Sequence, residues 1–332
     1  MQIEGVKRVA DFVKSQGALC GIQLAHAGRK SSNTAPWIAA RNGKTSLRAT
    51  EDVGGWPKDV VGPMGGEEES WDGGAGGYWP PRQLSVQEIR ETVQAWADAA
   101  KRAVKAGVDL IEVHAAHGYL IHQFLSPISN RRTDEYGGSF ENRTRLLREI
   151  VQAVRGAIPD SMPLFLRMST TEWMEEDELA KKYGSWDVES TLKVAKFLPK
   201  LGVDLLDASS GGNCRQQRIN MYESKDYQTK IAARIRKEAK AVGSKLLLGA
   251  VGLITEAEQA RDIVEIDRSI GEEAAVAKEM TDATPNAEPM ADVILVARQF
   301  MREPEWVLKV AWKLDVDINW PSQFLRVKFP KL

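Results

Sequence analysis

Gly107-Val108-Asp109-Leu110-Ile111-Glu112-Val113-His114 is the stretch that decides the fold. Before it, Ser85 with Glu88 forms a capping box that opens a helix reaching to about Ala106. Gly107 ends that helix, and the spacing predicts a strand over 108–113. The same order recurs along the chain. Apolar runs at 21–25, 163–168, 203–207, 245–249 and 291–297 read as further strands. Helical patterns follow at 140–157, 187–201, 225–242, 255–266 and 304–314. These strands read as continuous apolar runs rather than alternating ones, which predicts a parallel sheet covered by helices.

Two architectures carry such a sheet, an open doubly wound fold and a barrel of eight strand–helix units. No Gly-x-Gly-x-x-Gly turn and no P-loop occurs, which favours the barrel. Six strand–helix units are visible, preceded by a lone amphipathic helix at 2–16. The expected fold is therefore α/β, a (β/α)8 TIM barrel that is N-terminally truncated. Two units, or roughly 60–70 residues, are expected to be missing before Met1. Residues 1–332 are expected to form a single domain. Within it, 30–85 is rich in Gly, Pro, Ser and Trp and reads as a lid-like loop region. A polar, acidic stretch at 267–290 reads as an insertion before the last strand.

Composition narrows the function. Lys plus Arg is 45 and Asp plus Glu is 46, for a net charge of −1, so nucleic acid is not an expected partner. A hydrophobic fraction of 43% with 27% charged residues excludes disorder as the overall state. Two cysteines, Cys20 and Cys214, make neither a disulfide framework nor a thiolate zinc site. The N-terminus has no apolar signal core, and no stretch reaches ~18 apolar residues. The reading is a reduced, cytoplasmic protein with no membrane partner.

In a barrel the working groups sit at the C-terminal ends of the strands. Those positions hold Gln23 and His26, then His114, His117 and Tyr119, then Arg167, then Asp207 and Ser209. The last two strands give Val251-Gly252 and Ala297-Arg298. His114 and His117 are the sharpest feature. A metal site would need a third ligand that the pattern does not supply, so no metal is expected. A structural pair is the plain alternative. The chemical reading is that two imidazole N–H groups grip a developing oxyanion, with Tyr119 as a proton donor beside them. Arg167 reads either as an ion-pair partner or as a fixed positive charge beside an anionic ligand. Val251-Gly252 and Ala297-Arg298 read as plain turns or as a phosphate site. The polar run 130–143 reads as a loop that braces the site.

At this point the residues carry a resemblance. Gly21-Ile22-Gln23-Leu24-Ala25-His26-Ala27-Gly28-Arg29 and Val113-His114-Ala115-Ala116-His117-Gly118-Tyr119-Leu120 resemble the third- and fourth-strand motifs of the old yellow enzyme family. The likeness continues from Phe124-Leu125-Ser126-Pro127 to Asn142-Arg143, and to Ala250-Val251-Gly252 and Val296-Ala297-Arg298. Ala25, where other members carry Trp, points to the thermophilic-like branch. The resemblance implies a flavin barrel with FMN, reduced by NADPH, that passes hydride to the activated C=C bond of an α,β-unsaturated carbonyl or nitro compound. It implies that His114 and His117 bind the substrate oxygen and that Tyr119 delivers the α-proton. Gln23 and Arg167 would contact the flavin ring, and Val251, Gly252, Ala297 and Arg298 its phosphate. Many relatives have Gly at the place of Ala297. Arg326 resembles an arginine that some relatives insert into a neighbouring subunit, and it is the only hint of a homodimer. The rival expectation is a truncated, non-catalytic homologue that binds FMN poorly. A lyase or aldolase barrel would want a strand-end Schiff-base lysine, and none is found.

Overall fold

A computed structural model describes residues 2–221, 223–265 and 288–327. The described residues gather into two compact units, Met1–Ile219 with Ser244–Leu246, and Asn220–Gly243 with Leu247–Leu332. The expected insertion at 267–290 lies outside the described residues up to 287. Among the described residues, no helix is long and apolar enough to cross a membrane.

The first unit is built on four parallel strands in the order β1 (Gly21–Leu24), β2 (Leu110–Ala115), β3 (Leu164–Ser169) and β4 (Leu205–Ser209). Helix α1 (Gln2–Ser15) precedes β1, and α2 (Val86–Lys105) precedes β2. The capping box is present at α2: Glu88 N donates to Ser85 Oγ, and Ser85 N donates to the Glu88 carboxylate. Helix α3 (Leu120–Leu125) follows β2, with all six residues buried. The pattern predicted over 140–157 is two helices, α4 (Phe140–Arg143) and α5 (Arg145–Arg155). Thr144 breaks them at φ −86°, ψ −4°. Its Oγ1 donates back to the Phe140 carbonyl at 2.9 Å, the local competition expected of a threonine inside a helical pattern. Helix α6 (Val188–Ala195) leads into β4 through a single 3-10 turn.

Registers pair Ile111 with Leu164, Val113 with Leu166, and Leu166 with Leu206. Ile111, Val113, Ala115, Leu164, Leu166, Met168, Leu206 and Ala208 share one face, and each is fully buried. Leu146, Leu147, Ile150, Val151 and Val154 of α5 are buried with them. At roughly 1.5–3 kcal/mol per large apolar side chain, this layer dominates the stability of the unit.

The strands expected at 108–113, 203–207 and 291–297 each begin two residues later than expected, for one repeated reason. In Val108-Asp109-Leu110, Val203-Asp204-Leu205 and Ala291-Asp292-Val293 the aspartate looks like part of the strand. Each instead clamps the neighbouring strand before its own begins. The Asp109 carboxylate accepts from Cys20 N at 2.8 Å while Asp109 N donates to Cys20 O at 2.7 Å. Asp204 does the same with Leu164, at 2.8 and 2.9 Å. Asp292 does so with Leu248, at 2.9 and 2.8 Å.

Residues 30–85, read as one lid-like loop, carry short ordered elements. A turn of helix covers Pro36–Arg41, and a two-residue parallel pairing joins Val61–Gly62 to Arg82–Gln83. Arg132 ties this region down, donating to Pro63 O at 3.0 Å and Leu84 O at 2.6 Å.

The second unit pairs β5 (Leu247–Val251) with β6 (Val293–Leu295) in parallel. Helix α7 (Thr229–Ala241) precedes β5, α8 (Ala257–Val264) follows it, and α9 (Arg298–Arg302) and α10 (Trp306–Lys313) follow β6. Buried Arg236 of α7 donates to Asp292 at 3.0 and 2.9 Å and so holds the clamp of β6.

Candidate active site

The second face of the four-stranded sheet is polar, and here the expectation of uninterrupted apolar strands is corrected. Leu-Ile-Glu-Val-His-Ala, Leu-Phe-Leu-Arg-Met-Ser and Leu-Leu-Asp-Ala-Ser alternate over their last residues. Register places His114, Arg167 and Asp207 in one row across β2, β3 and β4. Gln23 sits opposite Glu112 one pleat earlier, and Ser169 opposite Ser209 one pleat later. Because side chains alternate along a strand, all seven share this face.

Few of these groups are fully satisfied. Gln23 Nε2 donates to Glu112 Oε2 at 2.5 Å. Arg167 Nε lies 3.3 Å from Asp207 Oδ2, so the ion-pair reading of Arg167 holds. Yet Nδ1 of His114, Nε of Arg167 and Oδ1 of Asp207 are buried without a hydrogen bond among the described residues. Unsatisfied buried polar atoms cost ~1–3 kcal/mol each, so this row has hydrogen-bonding capacity left to offer a bound group.

His117 and Tyr119 come from the turn that leaves β2. His117 takes a left-handed conformation, φ 57°. Its backbone N donates to Ser169 Oγ at 2.9 Å, and its Nε2 lies 2.7 Å from Ser209 Oγ. Gly118 follows at φ 69°, where a Cβ would stand 2.3 Å from Gly212 O; only glycine fits. The rings of His114 and His117 are 5.1 Å apart, and those of His114 and Tyr119 are 5.0 Å apart. The three side chains singled out in the sequence thus form one cluster.

Burial dominates the electrostatics. It lowers the His114 pKa to about 4 and the His117 pKa to about 3, with the Arg167 charge as the next cause for each. Both rings are therefore neutral near pH 7, and each can donate one N–H without carrying a charge. Burial raises Asp207 to about 7 against the pull of Arg167, and it raises Glu112 as well. Among the described residues, no group of three His, Cys, Asp or Glu side chains is placed to hold a metal ion.

Val251 and Gly252 lie at the end of β5 in the second unit, and Ala297 and Arg298 follow β6. Val251 is the register partner of Leu295, which brings these two strand ends side by side. Gln228 Nε2 donates to Val251 O at 2.6 Å, and Gly252 has φ 108°. Ala297 and Arg298 are exposed. Arg326 is exposed in the 3-10 turn Ser322–Val327.

Two residues of the cluster were not singled out in the sequence. Arg29 is buried and donates to Asn213 O at 2.7 Å and Glu69 O at 3.2 Å. Lys30 donates to the carbonyl of His117 itself, at 2.8 Å. Two adjacent charged residues shortly after a strand were the available signal, but their partners lie 40–184 residues away.

The donor set suits a flat, acceptor-rich ring of partly negative character. Gln23 offers an amide, Arg167 a guanidinium, and His114 an unpartnered ring nitrogen on the same face. The profile of the NADH:flavin oxidoreductase / NADH oxidase family matches residues 1–276. An NADH:flavin oxidoreductase of Gibberella zeae is 40% identical over 324 residues, covering 97% of this chain and 70% of the relative. An NADPH dehydrogenase of Bacillus velezensis is 36% identical over 326 residues, covering 98% and 75%. The solved structure of an old yellow enzyme homologue from Zymomonas mobilis shares the fold, with a TM-score of 0.60 at 23% identity over 100% of this chain and 76% of that one. The chain belongs to the NADH:flavin oxidoreductase family, that of the old yellow enzymes, and is an oxidoreductase that uses FMN.

Proposed function

We propose that this chain takes electrons from NADPH and reduces the activated C=C bond of an α,β-unsaturated carbonyl or nitro compound. One observation carries the reading. Two neutral imidazoles stand 5.1 Å apart, with a tyrosine ring 5.0 Å from one of them. That arrangement donates hydrogen bonds to a single oxygen and offers a proton nearby.

FMN, bound and reduced, supplies the hydride for the β-carbon. The chain's own residues do the rest. His114 and His117 hold the carbonyl or nitro oxygen and stabilise the negative charge that grows on it. Ser209 Oγ lies 2.7 Å from His117 Nε2; with the hydroxyl as donor, the ring proton stands on Nδ1, free to point at substrate. Tyr119 gives its phenolic proton to the α-carbon, which completes the two-electron, two-hydrogen reduction. Gln23 hydrogen-bonds the edge of the flavin, and Arg167 balances negative charge on it. Val251, Gly252, Ala297 and Arg298 hold the phosphate. Arg326 reaches a neighbouring subunit in a homodimer. The fold type is that of a (β/α)8 flavin barrel. Two free cysteines suit a reducing, cytoplasmic setting.

The test is an absorbance spectrum of the purified chain after incubation with FMN and desalting. The expected result is a flavin band near 1:1, bleached by NADPH without oxygen and restored by an unsaturated ketone, with one saturated ketone formed per NADPH consumed. A chain that holds no flavin, or whose bleached flavin no enone or nitroalkene restores, would overturn the reading.

A further inference from the structure

Lys30 stands outside every role assigned above. It ends the short 3-10 turn Gly28–Lys30 that follows β1. Its Nζ donates to two backbone carbonyls, His117 O at 2.8 Å and Gly212 O at 2.5 Å. The same nitrogen lies 4.6 Å from the centre of the Trp71 ring. Trp71 Nε1 in turn donates to Gly212 O at 3.0 Å.

Both carbonyls belong to strained and crowded backbone. His117 has φ 57°, a conformation that costs a residue with a Cβ ~1–2 kcal/mol. A Cβ on Gly212 would stand 2.6 Å from the His117 Cα, so the two loops touch backbone to backbone. At such a contact the carbonyl dipoles need a shared donor. An ammonium serves both carbonyls and presents its remaining positive face to the indole. A neutral amine, with two N–H bonds and a lone pair, would turn that pair toward the ring or toward an oxygen. Burial, with the Arg29 charge beside it, lowers the Lys30 pKa to about 7, so the bridge is an ammonium below that pH and loses its proton as pH rises through it.

We infer that Lys30 is a positioning residue: by bridging the carbonyls of His117 and Gly212 it fixes the turn that aims the His117 ring at the substrate oxygen. The inference rests on the proposed oxyanion role of the two histidines. Among the described residues, Lys30 is the donor that holds the His117 carbonyl, while its amide and ring are held by Ser169 and Ser209. Lys30 therefore supplies the third point that makes the residue rigid.

The test uses the FMN-loaded chain and a phenolate as the oxyanion probe, titrated by calorimetry. Lys30→Met should weaken phenolate binding about tenfold or more, the size of one charge-assisted hydrogen bond. Long-range proton–nitrogen spectra should show the His117 ring losing its single tautomer in the same variant. Trp71→Phe removes only the indole bond and should bind within about twofold of the native chain. Phenolate binding within about twofold in a folded Lys30→Met chain, with the tautomer unchanged, overturns the inference. So does an equal loss in Trp71→Phe, which would assign the effect to the whole loop. Should Lys30→Met not fold, Lys30→Arg decides. A planar guanidinium cannot place one atom on both carbonyls and should lose affinity, and unchanged binding overturns the inference. A native chain that ignores phenolate breaks the oxyanion reading instead, and the His117 tautomer then still decides for or against Lys30.

Discussion

The two faces of the four-stranded sheet come from the same residues of sequence, one apart, and obey opposite rules. On one face, Ile111, Val113, Leu164, Leu166 and Leu206 are fully buried and need no partner but each other. On the other, His114 and Asp207 are buried and Glu112 and Arg167 half-buried, with pKa values displaced or hydrogen bonds missing. The first face makes the fold stable. The second spends part of that stability on holding polar groups dry and aimed. A protein that only had to fold would carry apolar side chains on both.

Three changes would break or sharpen this contrast. Leu166→Ala on the apolar face should cost ~2–5 kcal/mol in a urea melt, because it leaves a cavity in a packed layer. Its flavin affinity, measured well below the melt, should stay near native. A large loss of flavin with little loss of stability would show that the faces are not separable. His117→Ala on the polar face should do the reverse. Turnover should fall ~10²–10³-fold, the usual consequence of removing one oxyanion donor, with only a small shift in the melt. An equal fall in stability would make the histidine pair structural.

The smallest effect is in pH. The folded pKa values of His114 and His117, about 4 and about 3, lie below the ordinary 6.5. The folded state then binds fewer protons than the unfolded chain, so stability that is complete above 6.5 is lost as pH falls through that window. Asp207 runs the other way. Its folded value, about 7, lies above the ordinary 3.8, so stability is complete at low pH and is lost as pH rises through about 7. His114→Asn should lessen the loss of stability as pH falls below 6.5, and Asp207→Asn should remove the opposing loss as pH rises from 3.8 to about 7. An unchanged stability–pH curve in both variants would mean that the polar face is wet.

The sequence made the strand–helix repeat legible because each strand is a short apolar run bounded by a glycine or a polar break. It also made the histidine–tyrosine cluster legible, because three chemical residues within six positions at one strand end are unusual. What it hid has definite causes. The alternation in Leu-Phe-Leu-Arg-Met-Ser spans too few residues to outweigh the apolar impression of the whole run. Helix α3 is buried all round, so its Leu-Ile-His-Gln-Phe-Leu shows no amphipathic period. Arg29 and Lys30 act through backbone carbonyls of distant residues, and no local pattern announces such a partner.

The aspartate clamps have a consequence for how such a chain can change. Asp109, Asp204 and Asp292 each lock a strand to its neighbour just before the strand begins, while the chemistry collects where strands end. Alignment and reactivity are thus written at opposite ends of each repeat. Loops at the reactive end can be lengthened, exchanged or randomised without loosening the lock that sets the register. New substrate ranges can therefore be explored there, at the margin of the scaffold, while the three aspartates keep it in step.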